Sequence, residues 1–438
     1  MELDSNNCLE IWKENKKMNL LKKVKYLLGA FAFLIMLSAF TTNASAATNL
    51  GKVTGLKQVD AQTGEVRFTF DPVLYPRASY EISVSTDGVN WVVQSDMAAH
   101  NPAGNYASGL SAGSTYYVRV RAYITERDAV TGQYYDVYSE YSDPLEVVTK
   151  TNGSVSNLRK TKSTETSISL KWDPAQGANA YYVKYTQVAT GKVQEKTVHG
   201  KNSLKLTGLD KNATYNIAVY AVRENANYAA QTSYFDEVNA SVTPTKATGV
   251  SVTDYNKDNG DIAVSVDKND CAAGFQAEVW TAYKKSDKKI ATANSKSATI
   301  HITDEALKKS NFVKIRVRAY SFTTAGNETY GAWSAWVYTA PKTDVKLTKS
   351  AKKGITIKIG KVNGADRYVI YAGAGSYPSY KRITTTTKTS YTMTKLDKKS
   401  LQKYDYYHVY VVAQKKVGKK YVSCQYFEDQ AAASLYYE

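Results

Sequence analysis

The chain has 438 residues, with 57 Lys+Arg against 40 Asp+Glu for a formal net charge of +17, and 36 Tyr against 10 Phe and 6 Trp. At ~100–200 residues per domain this length implies several cores rather than one. The 25 Gly and 8 Pro exclude a collagen-like or low-complexity chain, and 3 Cys and 4 His leave little material for a disulfide framework or a zinc cluster.

At the amino end, Lys16, Lys17, Lys22, Lys23 and Lys25 precede an apolar run from Leu27 to Phe40, and Ala44 and Ala46 follow at small-residue positions. This order predicts a secretory signal peptide over 1–46, cut after Ala46, with Met18 an alternative start. The apolar run makes only about 21 Å of helix, short of the ~30 Å needed to cross a bilayer. A secreted chain whose only later cysteines are Cys271 and Cys424 does not rest on disulfides. The two read as isolated thiols, with an inter-repeat bridge as the alternative.

Past the signal, one pattern occurs four times: a leucine, a tyrosine six residues on, then alternating apolar positions ending in alanine. It reads Leu110/Tyr116/Val118/Val120/Ala122, Leu209/Tyr215/Ile217/Val219/Ala221, Leu307/Val313/Ile315/Val317/Ala319 and Leu401/Tyr407/Val409/Val411/Ala413. The third copy has valine at the tyrosine position. Upstream lie the alternating runs Val66/Phe68/Phe70, Ile168/Leu170/Trp172, Ile262/Val264/Val266 and Ile355/Ile357/Ile359. A third run begins at Tyr80, Tyr181, Phe275 and Tyr368. Period-two alternation puts one face of each segment in a core and the other in water, which predicts antiparallel strands. Asp87-Gly88 and Thr190-Gly191 supply hairpin turns. Only residues 302–310 are expected to form a turn or two of helix. The fold class is therefore all-β, about seven short strands per repeat, with repeats at 47–149, 150–245, 246–342 and 343–438.

An aromatic before Asp-Pro (Phe70-Asp71-Pro72, Trp172-Asp173-Pro174) and the Leu-x5-Tyr element together resemble bacterial fibronectin type III domains. The resemblance implies tandem Ig-like sandwiches, with the tyrosine ring in the core and its hydroxyl bonded to nearby backbone. The third and fourth repeats lack the Trp and Asp-Pro signals, so another Ig-like sandwich is the alternative there. Short polar joints at 149–154, 243–248 and 340–344 are expected to join the units end to end. Strands of ~8–10 residues at ~3.3 Å each then give an extended rod of roughly 120–140 Å.

Four repeats account for the whole mature chain, leaving no separate catalytic domain, so no enzyme and no cofactor are expected. His100, His199, His301 and His408 fall one per repeat, without HExxH, CxxC or GxSxG motifs nearby. The acids around Asp258–Asp261 and Asp267–Asp270 read as polar loops rather than calcium ligands.

Lys314, Arg316 and Arg318 alternate with core positions and face outward, and Trp333-Ser334-Ala335-Trp336 follows. This is similar to the WSxWS element of cytokine-receptor fibronectin domains, which implies a cation–π ladder of arginines between indoles. Arg119 and Arg121 with Tyr138 and Tyr141 stand in corresponding places in the first repeat. Such a ladder either stabilises its sheet or presents an aromatic binding surface. Binding candidates are Trp91, Tyr134, Tyr135, Arg316, Arg318, Trp333 and Trp336.

By repeat the net charges are −5, +5, +4 and +11. The last repeat holds Lys352, Lys353, Lys398, Lys399, Lys415, Lys416, Lys419 and Lys420, which are candidates for an anionic surface such as teichoic acid. The expected protein is secreted, of Gram-positive type, and acts in adhesion or spacing with a protein, glycan or wall polymer as partner; nucleic acid is disfavoured. The alternative is an accessory carbohydrate-binding component of a polysaccharide-degrading system.

Overall fold

The alternating runs form strands, and the same arrangement of strands recurs four times. In a computed structural model, residues 48–97, 104–283, 286–351, 354–425 and 433–438 are described. The expected signal peptide, His100, Lys352 and Lys353 lie outside them.

The second repeat shows the plan most simply. Ser167–Asp173 pairs with Ser156–Thr164 on one side and Ser203–Thr207 on the other, an antiparallel three-stranded sheet. The other sheet runs Val193–His199, Ala180–Gln187, Thr214–Glu224, Ala229–Ser241. Between them Ile168, Leu170, Trp172, Tyr181, Val183, Ile217 and Val219 are buried. The Trp172 indole is 0% exposed and meets Tyr181 edge-on at 5.2 Å. Burying roughly 200 Å² of such a ring at ~25 cal/mol per Å² contributes about 5 kcal/mol. Its Nε1 has no hydrogen-bond partner, a penalty of about 1–3 kcal/mol, so burial wins.

The first repeat has a three-stranded sheet of Thr54–Ala61, Glu65–Asp71 and Asn105–Ser108, and a sheet ordered Val92–Met97, Ser79–Ser85, Thr115–Arg127, Tyr134–Tyr138. In the third, Ser251–Asn256, Asp261–Ser265 and Thr299–Thr303 form the smaller sheet, and Lys289–Ser295, Gly274–Thr281, Val313–Phe322 and Glu328–Tyr330 lie in order in the larger. The fourth pairs Val345–Ser350, Gly354–Ile359 and Ser390–Met393, beside Lys381–Thr386, Arg367–Ala374, Asp405–Val417 and Lys420–Ser423. The segment expected to be helical is a single 3₁₀ turn, Glu305–Lys308, because Ile302 belongs to a strand and Asp304 caps the turn through the Ala306 N–H. By backbone proximity the chain falls into two compact units. One holds the described residues within 1–57, 69–105 and 118–145; the other holds those within 58–68, 106–117 and 146–438.

The repeat tyrosines act as the resemblance implies. Backbone N–H groups of Ser111, Asp210 and Gln402 donate to Tyr116, Tyr215 and Tyr407 at 2.9, 2.9 and 2.7 Å. In the third repeat Val313 is buried, and Tyr255 donates instead to the Leu307 carbonyl at 3.0 Å. A second set of hooks was not expected: Ala175 N–H donates to Tyr181 and Val362 N–H to Tyr368, each at 3.1 Å. Part of the tyrosine excess is therefore loop-fastening inside the core.

The polar joints are hydrogen-bonded structure rather than loose linkers. Thr149 donates to the Ser111 carbonyl at 2.8 Å, Thr243 shares a hydroxyl bond with Ser163 at 2.9 Å, and buried Thr343 receives the Ala413 N–H at 3.3 Å. Beyond the last joint, Phe312 and Ala282 of the third repeat sit in the fourth repeat's core. Phe312 N–H donates to the Asn363 carbonyl at 2.8 Å, and Gly364 leaves no room for a side chain, since a Cβ there would lie 2.8 Å from the Ala282 carbonyl oxygen.

Candidate binding surface

In the Val313–Phe322 strand Val313, Ile315 and Val317 point inward, so Lys314, Arg316 and Arg318 take the outer face. Register sets Gln276 opposite Arg318, Glu278 opposite Arg316 and Trp280 opposite Lys314. The Arg316 guanidinium lies 4.3 Å from the Trp333 ring and 4.7 Å from that of Trp336. Arg318 lies 3.5 Å from Tyr330 and 4.4 Å from Trp333, and the Lys314 ammonium is 4.6 Å from Trp336. Cations and rings thus alternate as Lys314, Trp336, Arg316, Trp333, Arg318, Tyr330.

Glu278 anchors this stack from beneath. It is 9% exposed and accepts from Arg316 Nε and Nη2 at 3.0 and 2.7 Å, from Trp280 Nε1 at 3.2 Å and from Lys289 Nζ at 3.2 Å. Burial alone would raise this carboxyl, but the hydrogen bonds from Arg316, Trp280 and Lys289 outweigh it and hold it below its ordinary value. Ser334 fastens the aromatic segment: its hydroxyl accepts the Val317 N–H at 3.0 Å and donates to the Ala335 carbonyl at 2.8 Å.

The first repeat repeats the device with tyrosines. Arg119 lies 4.2 Å from the Trp91 ring and 3.7 Å from Tyr141, and Arg121 lies 3.7 Å from Tyr138 and 4.6 Å from Tyr141. Buried Glu81 takes Arg121 Nε and Nη2 at 2.9 and 2.8 Å, and receives the Tyr141 hydroxyl. Ser139 and Ser142 accept the Ala122 and Val120 N–H groups at 2.9 and 3.0 Å. The run Tyr138-Ser139-Glu140-Tyr141-Ser142 is thus the counterpart of the third repeat's Trp-Ser element. That spacing was present in the sequence, and it identifies both serines.

The second and fourth repeats carry rings on the same sheet without the full cation series. Tyr182, Tyr220 and Phe235 follow one another at 5.7 and 4.9 Å. Tyr371 stacks on Tyr410 at 4.8 Å, and Arg367 covers Tyr421 at 3.4 Å.

These contacts sort the binding candidates. Arg316, Arg318, Trp333 and Trp336 are brought together in one half-buried stack, where cations cover the ring faces. Trp91 is covered by Arg119. Tyr134 and Tyr135 are 72% and 48% exposed near the free end of their sheet, where Tyr135 donates to Glu126 at 3.0 Å.

Among the lysines, Lys398 lies in the turn between Lys395–Leu396 and Lys399–Ser400 and Lys419 in the turn after Asp405–Val417, while Lys399 and Lys420 open the strands that follow; all four are exposed, as is Lys416. Lys415 does not belong with them. It is 7% exposed and its ammonium donates to the Gly364 carbonyl at 3.2 Å, because it continues the inward phase of Val409, Val411 and Ala413. Lys160 is likewise buried, in phase with Leu158, and donates to the Ser241 carbonyl at 2.8 Å. Burial pulls its ammonium down to about 8 and pushes the neighbouring Cys271 thiol up to about 11. Cys271 and Cys424 are both free and buried.

The described histidines stand apart from one another, His199 with Glu224, His301 with Asp261, and His408 between Ser434 and the Gly375 carbonyl. Asp261 serves its own sheet, taking Thr303 at 3.0 Å as well. Among the described residues no group of three or more His, Cys, Asp or Glu converges, and no helix is long and apolar enough to cross a membrane.

Residues 153–234 match the fibronectin type III domain. The fibronectin type III match thus includes buried Trp172 and the hooks on Tyr181 and Tyr215. Among solved structures, the FN1–FN3 domains of chicken CNTN1 are 18% identical, covering 66% of this chain and 98% of theirs, with a TM-score of 0.27. A two-domain fibronectin type III segment of chicken tenascin is 16% identical, covering 43% of this chain and 98% of its own, with a TM-score of 0.22. No curated protein matches the chain.

Proposed function

We propose that the chain is a secreted bacterial protein of Gram-positive type, in which a signal peptide over 1–46 precedes four fibronectin type III-like repeats at 47–149, 150–245, 246–342 and 343–438. It works without catalysis, as a binding or spacer array held on an anionic wall polymer by its last repeat. The observation that carries this is the placement of charge. The last repeat holds +11 of the chain's net charge, and Lys398, Lys399, Lys416, Lys419 and Lys420 stand exposed on or beside its turns. Clustered ammoniums on one domain give multivalent, screened attraction to a polyanion. The side chains most suited to chemistry serve the fold instead: Glu81 and Glu278 hold arginines, and the tyrosine hydroxyls hold loops.

The test is retention of the chain, with and without residues 343–438, on purified cell walls before and after anionic polymers are stripped. Binding that needs both the last repeat and the polymer, and elutes with moderate salt, supports the reading. Retention that ignores salt, or that survives loss of the repeat, defeats it. The carbohydrate-binding alternative is favoured by one feature, the exposed Tyr134 and Tyr135 rings. It requires retention on insoluble polysaccharide that is lost when both become alanine.

A further inference from the structure

The lysines on turns are not the part of the last repeat most specifically arranged for an anion. In its smaller sheet, Lys346 lies directly opposite Lys358, and Lys358 lies opposite Ser390. The next outward row is Thr348, Thr356 and Thr392. Leu347, Ile357 and Tyr391 occupy the alternate, inward positions, so the outer face presents two exposed ammoniums and a field of hydroxyls. Like charges at directly opposed positions repel, with Cβ atoms about 5 Å apart, and the usual relief is a nearby carboxylate. None is supplied. The repeat's ion pairs use Lys349 with Glu438 and Lys381 with Asp397, and neither Lys346 nor Lys358 has an acidic partner among the described residues.

The other repeats treat this position differently. In the second, Lys171 faces Arg159, but Arg159 is paired with Asp173 at 3.5 Å. In the third, the corresponding row is Ser251, Ser265 and Thr299. Two opposed lysines without an acidic partner, on a face otherwise of hydroxyls and an Asp344 already paired with Lys257, are what an anionic ligand would satisfy.

We infer that the outer face of the fourth repeat's three-stranded sheet is a docking surface for a linear polymer of phosphodiester-linked polyols, seated with one phosphate between Lys346 and Lys358. This rests on the proposed hold on an anionic wall and assigns it a place. Two ammoniums at neighbouring positions converge on the two free oxygens of a single phosphodiester. One row further along, ~6.6 Å at two residues per step, the threonine hydroxyls meet the neighbouring unit of the chain. The face has no aromatic ring on which a base could stack, which argues against single-stranded nucleic acid.

The experiment measures binding of the full chain to soluble poly(glycerol phosphate) across a salt series. Lys346→Gln/Lys358→Gln is compared with Lys395→Gln/Lys403→Gln, an equal charge loss at exposed positions elsewhere on the repeat. The surface predicts at least a fivefold loss for the first pair and less than twofold for the second. It also predicts a slope of log affinity against log salt that shrinks by about 0.7 for the first pair, the share of one phosphate contact on a single strand. Lys346→Arg/Lys358→Arg restores binding, and the melting temperatures of all variants match the parent. Equal losses in the two glutamine variants overturn the surface while leaving the broader electrostatic hold intact. No binding by the parent chain overturns both. Tighter binding to dextran sulfate or single-stranded DNA with the same lysine dependence overturns the choice of a phosphodiester polymer.

Discussion

Replacing Glu278 by alanine removes the carboxylate that holds Arg316, the middle cation of the third repeat's stack, while Asp287 still holds Lys314 at its end. Two charge-assisted bonds from Arg316, at 3.0 and 2.7 Å, are worth about 1.5–3 kcal/mol between partly buried partners. The Lys289 bond, from a side chain 48% exposed, adds little, ~0–1 kcal/mol. The cation–π contacts of Arg316 persist at ~0.5–1 kcal/mol each and keep the guanidinium in place. The sum is about 2–3 kcal/mol, drawn from the opening free energy of this sheet.

Native-state hydrogen exchange reads that quantity locally, which matters in a chain where a single unfolding midpoint is not well defined. Amides of Val313–Phe322 and Gly274–Thr281 should lose protection by roughly 30- to 150-fold, at about 1.4 kcal/mol per factor of ten. Amides of Thr214–Glu224 in the second repeat should be unaffected. Glu278→Gln keeps an acceptor without the charge and should lie between. Unchanged protection in both variants would refute the view that the carboxylate anchors the stack.

Three further outcomes follow from the same geometry. Tyr215→Phe and Tyr407→Phe each leave a backbone N–H without its acceptor and should cost about 1–2 kcal/mol in denaturant titrations of the affected repeat. Glu81 and Glu278 are held below their ordinary value, so their stabilisation is complete above the unfolded value of ~4.3 and is lost as pH falls through the folded value. Acidification from pH 5 towards 3 should therefore weaken exchange protection in the first and third repeats more than in the second and fourth. Gly113→Ala puts a Cβ 2.8 Å from the Gly177 Cα, at a glycine with φ of +63°, and should destabilise that contact by about 1–3 kcal/mol, seen as faster exchange at both loops.

The inward faces and the outward Lys314/Arg316/Arg318 series were legible, because a period of two assigns a face without knowledge of partners. The core tyrosines were legible for the same reason, through a fixed spacing from leucine. Register was not. That Lys346 opposes Lys358 depends on the register of two adjacent strands, and that Glu278 opposes Arg316 on a pairing between segments 38 residues apart, which loop length and bulges settle. Lys415 shows a signal that was present but outweighed by residue type: its phase along Val409–Ala413 points inward, and the phase prevailed over the charge. Lys160 is the same case beside Leu158. The joints read as short polar stretches because threonine counts as polar, yet Thr149 and Thr343 use that polarity to satisfy backbone groups and Thr243 to bond the Ser163 hydroxyl.

An electrostatic hold through the last repeat is tested most directly by the salt dependence of binding. Affinity of the full chain for purified anionic wall polymer, plotted as its logarithm against the logarithm of salt concentration, should fall on a straight line of negative slope. Deleting residues 343–438 should flatten that line and abolish most of the affinity. A flat line for the full chain, or one unchanged by the deletion, would contradict the account.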